Sequence, residues 1–209
     1  MLRSSTGFDS WAGEYDESIA RLSKGYPFEG YYEVLSFVNR CVDLSKGTRV
    51  LDIGIGTGLL TKELYRQGAE IYGIDFSPKM LELAKCIMPN GRFSCHDFGN
   101  GLPVEFKPIK FNYIISSYAI HHLDDDKKID FIAELKYSLE EDGKIIIADI
   151  AFQTKDEMKR CRENTHGWDE DEIYMTADEM TERLRKRMIK STYTQIPSCA
   201  GALEIVKAR

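Results

Sequence analysis

VLDIGIGTGLL, residues 50–60, is the stretch whose reading decides the fold. An apolar strand runs into Gly54, Gly56 and Gly58, and a helix start follows directly. Glycines let the backbone turn sharply and approach a ligand with no β-carbon in the way. Such a loop lies at the carboxyl edge of a parallel sheet, where open α/β folds bind ligands. The spacing discriminates further. A dinucleotide fingerprint reads GxGxxG. Here Gly58 completes GxGxG, and Leu59 stands where the third glycine would fall. The loop therefore suits a nucleoside with an amino-acid tail better than a pyrophosphate, which argues against a nicotinamide dehydrogenase.

Outward from this loop, strands and helices alternate. Arg49 to Ile53 reads as a buried strand, and Leu59 to Gln67 as a helix stopped by Gly68. Glu70 to Ile74 is a second strand. Ser77 caps the next helix, with Pro78 in its first position. Arg92 to His96 and Phe111 to Ser116 are the third and fourth strands. Asp124, Asp125 and Asp126 complement the positive end of another helix dipole, whose buried stripe is Ile129, Ile132, Ala133 and Leu139. Lys144 to Ile150 is the fifth strand. This order predicts a parallel sheet covered on both faces. Upstream, Tyr31, Val34, Leu35, Val38 and Val42 recur at helical spacing. Downstream, Thr176 and Glu179 form a capping-box pattern before a helix running to about Lys190. The runs 191–196 and 202–206 then read as a closing hairpin. The expected organisation is one domain: a helical cap over 1–46, a ligand-binding core over 47–150, and a variable helical region with the hairpin over 151–209.

The loop has partners. Asp75 ends the second strand 21 residues after Gly54, where an acid can accept hydrogen bonds from both ribose hydroxyls. Asp97 ends the third strand and could accept from an adenine amino group, while Phe76 or Phe98 offers a ring face. Singly, each acid also reads as a solvated strand end or a helix cap. Two such acids behind one glycine loop favour a ligand. Asp52, Gly54 and Gly56 at the loop, and Ser116 at the tip of the fourth strand, complete the expected contacts. Beyond that strand stand Tyr118, His121 and His122. A histidine there could deprotonate a second reactant at neutral pH, and Tyr118 could face a cation with its ring. His121 is the preferred base. Packing or capping is the plain alternative for each.

Composition narrows the class. The chain has 209 residues, 43% hydrophobic and 30% charged, as expected of one globular domain. No apolar run approaches a bilayer span, and the first residues lack a secretory core, so a cytoplasmic protein with no membrane partner is expected. Five scattered cysteines without a CxxC argue against a disulfide framework or a cysteine zinc site. The net charge of −6 argues against nucleic acid as partner. Near the fifth strand only Asp149 could serve a magnesium site, so no metal is expected.

The loop with its two strand-end acids resembles the class I S-adenosylmethionine-dependent methyltransferases. More narrowly, FDSWAGEYDESI (8–19) and SSYAIHHLDDDKK (116–128) resemble the YrrT-like methyltransferases. The resemblance covers most of residues 8–152. It implies a Rossmann-like α/β sheet of seven strands in the order 3-2-1-4-5-7-6, with strand 7 antiparallel. It also implies S-adenosylmethionine as methyl donor, held at Gly54, Asp75 and Asp97. Trp11 and Tyr15 would then lie in a lid over the donor, with Gly25, Tyr26 and Pro27 as its hinge. The fourth strand leads into SSYA rather than the [DN]-P-P-[YF] run of nucleobase-amino methylation, and no Pro-Cys pair suits cytosine C5. A small-molecule acceptor, handled by a monomer or homodimer, is the leading expectation. An RNA- or protein-methylating enzyme and a non-catalytic donor-binding module are the alternatives.

Overall fold

A computed structural model describes residues 25–207. Trp11 and Tyr15, and most of the expected lid, lie outside the described residues. Helix α1 (Tyr31–Arg40) buries Tyr31, Val34, Leu35 and Val38, the stripe its spacing predicts. Strand β1 (Arg49–Ile53) enters the glycine loop. A short helix α2 (Lys62–Arg66) follows, with turns rather than helix over the preceding glycines. Then come β2 (Glu70–Asp75), α3 (Pro78–Ile87) and β3 (Arg92–Cys95). The Ser77 side chain accepts from the Met80 N–H, so this cap forms as the sequence predicts. Strand β4 (Phe111–Ser117), helix α4 (Asp125–Tyr137) and strand β5 (Leu139–Phe152) complete the core. Leu139 belongs to β5 rather than to the buried stripe of α4, because the helix ends at Tyr137.

The remainder is helix α5 (Lys155–Glu163), the two-residue β6 (Met175–Thr176), α6 (Ala177–Lys186), β7 (Ser191–Gln195) and β8 (Ala200–Val206). The sheet order is β3-β2-β1-β4-β5-β8-β7. The first five strands of that path are parallel, and β8 is antiparallel to both β5 and β7. This is the expected seven-strand order with one strand added in the chain. That strand, β6, pairs only with the end of β5, through Ala151–Met175 and Phe152–Thr176. Two residues give no periodicity to read, so the sequence did not announce it.

Side chains alternate between the two covered faces. Val50 and Ile71 point into the layer with α1, α2 and α3; Leu51 and Tyr72 point into the layer with α4 and α6. Burial on both faces fixes the register, since a one-residue slip would exchange the two layers. The carboxyl ends of β1, β2, β3 and β4 therefore meet along one edge.

Candidate active site

At that edge the chain leaves β1 at Ile53 and turns through Gly54 and Gly56, at φ +71° and +55°. A β-carbon on Gly54 would stand 2.5 Å from the Ala119 methyl, whereas one on Gly56 would meet nothing within 4 Å. The first glycine thus lets two loops touch, and the second faces open space. Gly54→Ala combines a left-handed backbone, disfavoured by about 1–2 kcal/mol, with that clash. Its melting temperature should fall by roughly 2–8 °C or more. An unchanged melting curve would show that the loops part without cost.

Gly54, Gly56, Asp75, Phe76, Phe98, Ser117, Tyr118 and His122 line one small cavity. A wider cavity of about 280 Å³ opens beside it. It is lined by Phe76, Asp97, Phe98 and Gly99 from one side and His122, Leu123 and Lys127 from the other. Asp75 carries one backbone N–H on each carboxylate oxygen, from Gly56 and from Ser77, both at 2.9 Å. It ties the glycine loop to the start of α3 and keeps lone pairs for a ligand. Burial raises its pKa against these hydrogen bonds and the nearby His122. Asp97 caps a short turn at Phe98–Asn100 by accepting from the Gly99 N–H at 2.8 Å. The cap and a place on the cavity wall are compatible, because only part of the carboxylate is used. Phe98 is buried and stacks on Phe131, so the half-buried Phe76 is the ring more open to the cavity.

Asp52 sits under the loop, 1% exposed, with neither carboxyl oxygen hydrogen-bonded among the described residues. The Thr61 hydroxyl is near it but outside hydrogen-bond geometry. Burial, opposed by Thr61 and reinforced by Asp75, pushes the Asp52 pKa well above the usual carboxylate range. A buried acid without a partner is costly unless a ligand supplies one. An ammonium group would do so. Ser116 behaves differently from its expected part. Its hydroxyl donates to the Ile53 carbonyl at 2.9 Å and braces β4 against β1. Strand alternation gives the cavity wall to Ser117.

Past β4 the backbone enters a left-handed conformation at Tyr118, φ 50°, uncommon for a bulky residue and frequent at functional sites. The Tyr118 ring stacks on Tyr31 at 4.8 Å and touches Phe28. His121 and His122 follow in a short turn, their rings 4.3 Å apart. Only His122 lines the cavities described above. His121 faces Asp149 near the end of β5, whose carboxylate accepts from the His121 Nδ1 at 2.6 Å and from the His121 backbone N–H at 3.0 Å. Burial alone would lower the His121 pKa; Asp149, by charge and hydrogen bond, and Glu172 outweigh it and hold it above the ordinary value. Burial likewise opposes ionisation of Asp149, but His121 keeps its pKa below the ordinary value.

Glu172 was invisible in the sequence. It lies in the segment before β6, and its Oε2 stands 3.0 Å from His122 Nδ1 and 3.7 Å from His121 Nε2. The adjacent Ile173 is clamped on both sides. Its N–H donates to the His121 carbonyl, and its carbonyl accepts from Lys128, a lysine only 1% exposed. Around this cluster is an aromatic wall. Tyr26 stacks on Trp168 and is hydrogen-bonded to Tyr174, whose ring centroid is 6.2 Å from that of His121. Residues 25–28 and 168–174, far apart in sequence, thus meet beside the histidines.

The sequence of residues 50–143 matches the family described as "Methyltransferase domain". An uncharacterized methyltransferase of Geobacillus sp. (strain WCH70) is 32% identical, over 96% of each chain. The uncharacterized methyltransferase YrrT of Bacillus subtilis (strain 168) is 30% identical, again over 96% of each. The chain belongs to the YrrT-like methyltransferases. The fold of this methyltransferase recurs in a DhpI–SAH complex, with TM-score 0.73 and 16% identity over 96% of this chain and 93% of that one. It recurs in the magnesium protoporphyrin IX methyltransferase ChlM of Synechocystis, described with bound SAH, with TM-score 0.67 and 18% identity over 98% and 100%. The methyltransferase has no helix among its described residues long and apolar enough to cross a membrane.

Proposed function

We propose that this enzyme transfers the methyl group of S-adenosylmethionine to a small molecule bound between Tyr118, the His121–His122 pair and Glu172. The observation that carries the reading is the buried Asp52, neither of whose carboxyl oxygens is hydrogen-bonded among the described residues, beneath a glycine loop whose open side is lined by Asp75 and His122. An amino-acid ammonium group answers Asp52, ribose hydroxyls answer Asp75, and an adenine ring answers Phe76 and Asp97. The cofactor, when bound, supplies an activated methyl on a sulfonium whose charge disappears as the methyl leaves. The protein's part is to hold the acceptor in line and to exclude water. With Nδ1 donated to Asp149, His121 Nε2 is the atom left to meet an acceptor proton. Tyr15 and Trp11 belong in this proposal as donor-side cover.

A small acceptor is favoured over RNA because the chain carries a net charge of −6, and a net negative protein repels a phosphate backbone. Five free cysteines suit a reducing cytoplasm. The test is calorimetry with S-adenosylhomocysteine, then a panel of small molecules, RNA and protein assayed for S-adenosylhomocysteine release. Micromolar or tighter product binding and release with a small acceptor are expected. Release on RNA or protein alone would overturn the acceptor class, and no product binding would overturn the donor.

A further inference from the structure

We infer that His121, His122 and Glu172 form a site for one divalent transition-metal ion, with Asp149 orienting the first imidazole. Each of the three residues offers one ligand atom, and these atoms lie within 4.8 Å of one another. The Glu172 oxygen is 3.7 Å from His121 Nε2 and 3.0 Å from His122 Nδ1. Ligand atoms about 2.0–2.2 Å from a tetrahedral ion stand roughly 3.3–3.6 Å apart, so small side-chain shifts admit one. Two imidazoles and one carboxylate suit zinc or ferrous iron better than magnesium or calcium.

The surroundings are those of a built site. Asp149 holds His121 Nδ1 at 2.6 Å, which fixes the ring with Nε2 outward, as carboxylates do behind metal-bound histidines. Ile173, next to Glu172, is pinned by the His121 carbonyl and by Lys128. The carboxylates of Asp149 and Glu172, largely shielded at 3% and 14% side-chain exposure, face two histidines.

Three protein ligands leave a fourth position, the composition of catalytic rather than structural sites. His122 also lines the donor cavity, so the ion would stand at its rim. That the open position receives the methyl acceptor rests on the function proposed above; the binding of the ion does not. An acceptor hydroxyl bound there would lose its proton to solvent. Its oxygen would then form the new bond to the methyl carbon as the carbon–sulfur bond breaks, leaving a neutral thioether. The His121 Nε2 lone pair cannot hold the ion and take the acceptor proton at once, so metal binding decides between these roles.

The test is titration of metal-stripped full-length enzyme with zinc chloride, without donor, followed by calorimetry. One zinc per chain is expected, with affinity reduced at least about 10-fold in His122→Ala and in Glu172→Gln. Asp149→Asn should weaken it by roughly 10- to 100-fold. Cobalt should give visible ligand-field bands without a near-ultraviolet thiolate band, which separates this site from the cysteines. Absence of stoichiometric zinc, affinity in both ligand variants equal to that of the unmodified enzyme, or a thiolate band would each overturn the site. S-adenosylhomocysteine titrated into the same samples reports separately on the donor pocket. Normal product binding without zinc binding defeats the ion alone; zinc binding without product binding defeats the donor reading alone.

Discussion

His121→Ala should lower turnover with an established acceptor by about 100-fold or more, the usual contribution of a group that handles the acceptor proton. Affinity for S-adenosylhomocysteine should change little, because His121 faces Asp149 and Glu172 rather than the glycine loop. A residue used in the chemical step lowers kcat without weakening the donor complex. His122→Ala should behave differently. His122 borders both cavities, so its loss should weaken donor binding as well as turnover. Steady-state kinetics and calorimetry on the two variants separate these patterns. A loss of only a few-fold in a folded His121→Ala enzyme would make the residue a loop brace. The reverse pattern would exchange the two assignments.

Asp75→Ala should weaken donor-product affinity by about 2–3 kcal/mol, roughly 30- to 150-fold. Two losses combine. The ribose loses its acceptor, and the Gly56 and Ser77 N–H groups lose the carboxylate that shapes the loop around it. Asp75→Asn keeps one acceptor oxygen and should fall between wild type and alanine. NADH should bind negligibly to the unmodified enzyme. Unchanged affinity in a folded alanine variant would remove Asp75 from the donor site, and tight NADH binding would reverse the interpretation of the GxGxG spacing.

These expectations divide by how far their determinants reach along the chain. The glycine-loop side of the candidate site was legible because its signals are local. Strand, glycine loop and helix start sit within residues 50–66, and Asp75 and the Ser77 cap follow at once. Their geometry is set by φ preferences and capping chemistry that a short window reveals. The histidine side of the candidate site was legible only in part. Tyr118, His121 and His122 stood out as a motif, but what each histidine faces depends on Asp149 and Glu172, 28 and 50 residues away. No spacing rule brings Glu172 to His122; the clamp at Ile173 does. Ser116 and Ser117 were separable only by strand register, since one residue reverses the face. The positive φ of Tyr118 has no sequence signal, because bulky residues rarely adopt it. The stacking of Tyr26 on Trp168 joins two segments with no shared pattern.

That last contact bears on how the enzyme can change over time. The groups that the proposed function assigns to the donor come mainly from one continuous stretch, residues 52–98, plus the turn after β4. The aromatic wall and Glu172 come from residues 25–31 and 168–174, outside that stretch. On the proposed function, replacing the stretch between β5 and α6 would alter which molecule is accepted while leaving the methyl source untouched. Lys128 sets one limit on such exchange: its buried ammonium, held by Asp125 and by the Ile173 carbonyl, would lose the second partner unless the replacement supplied another.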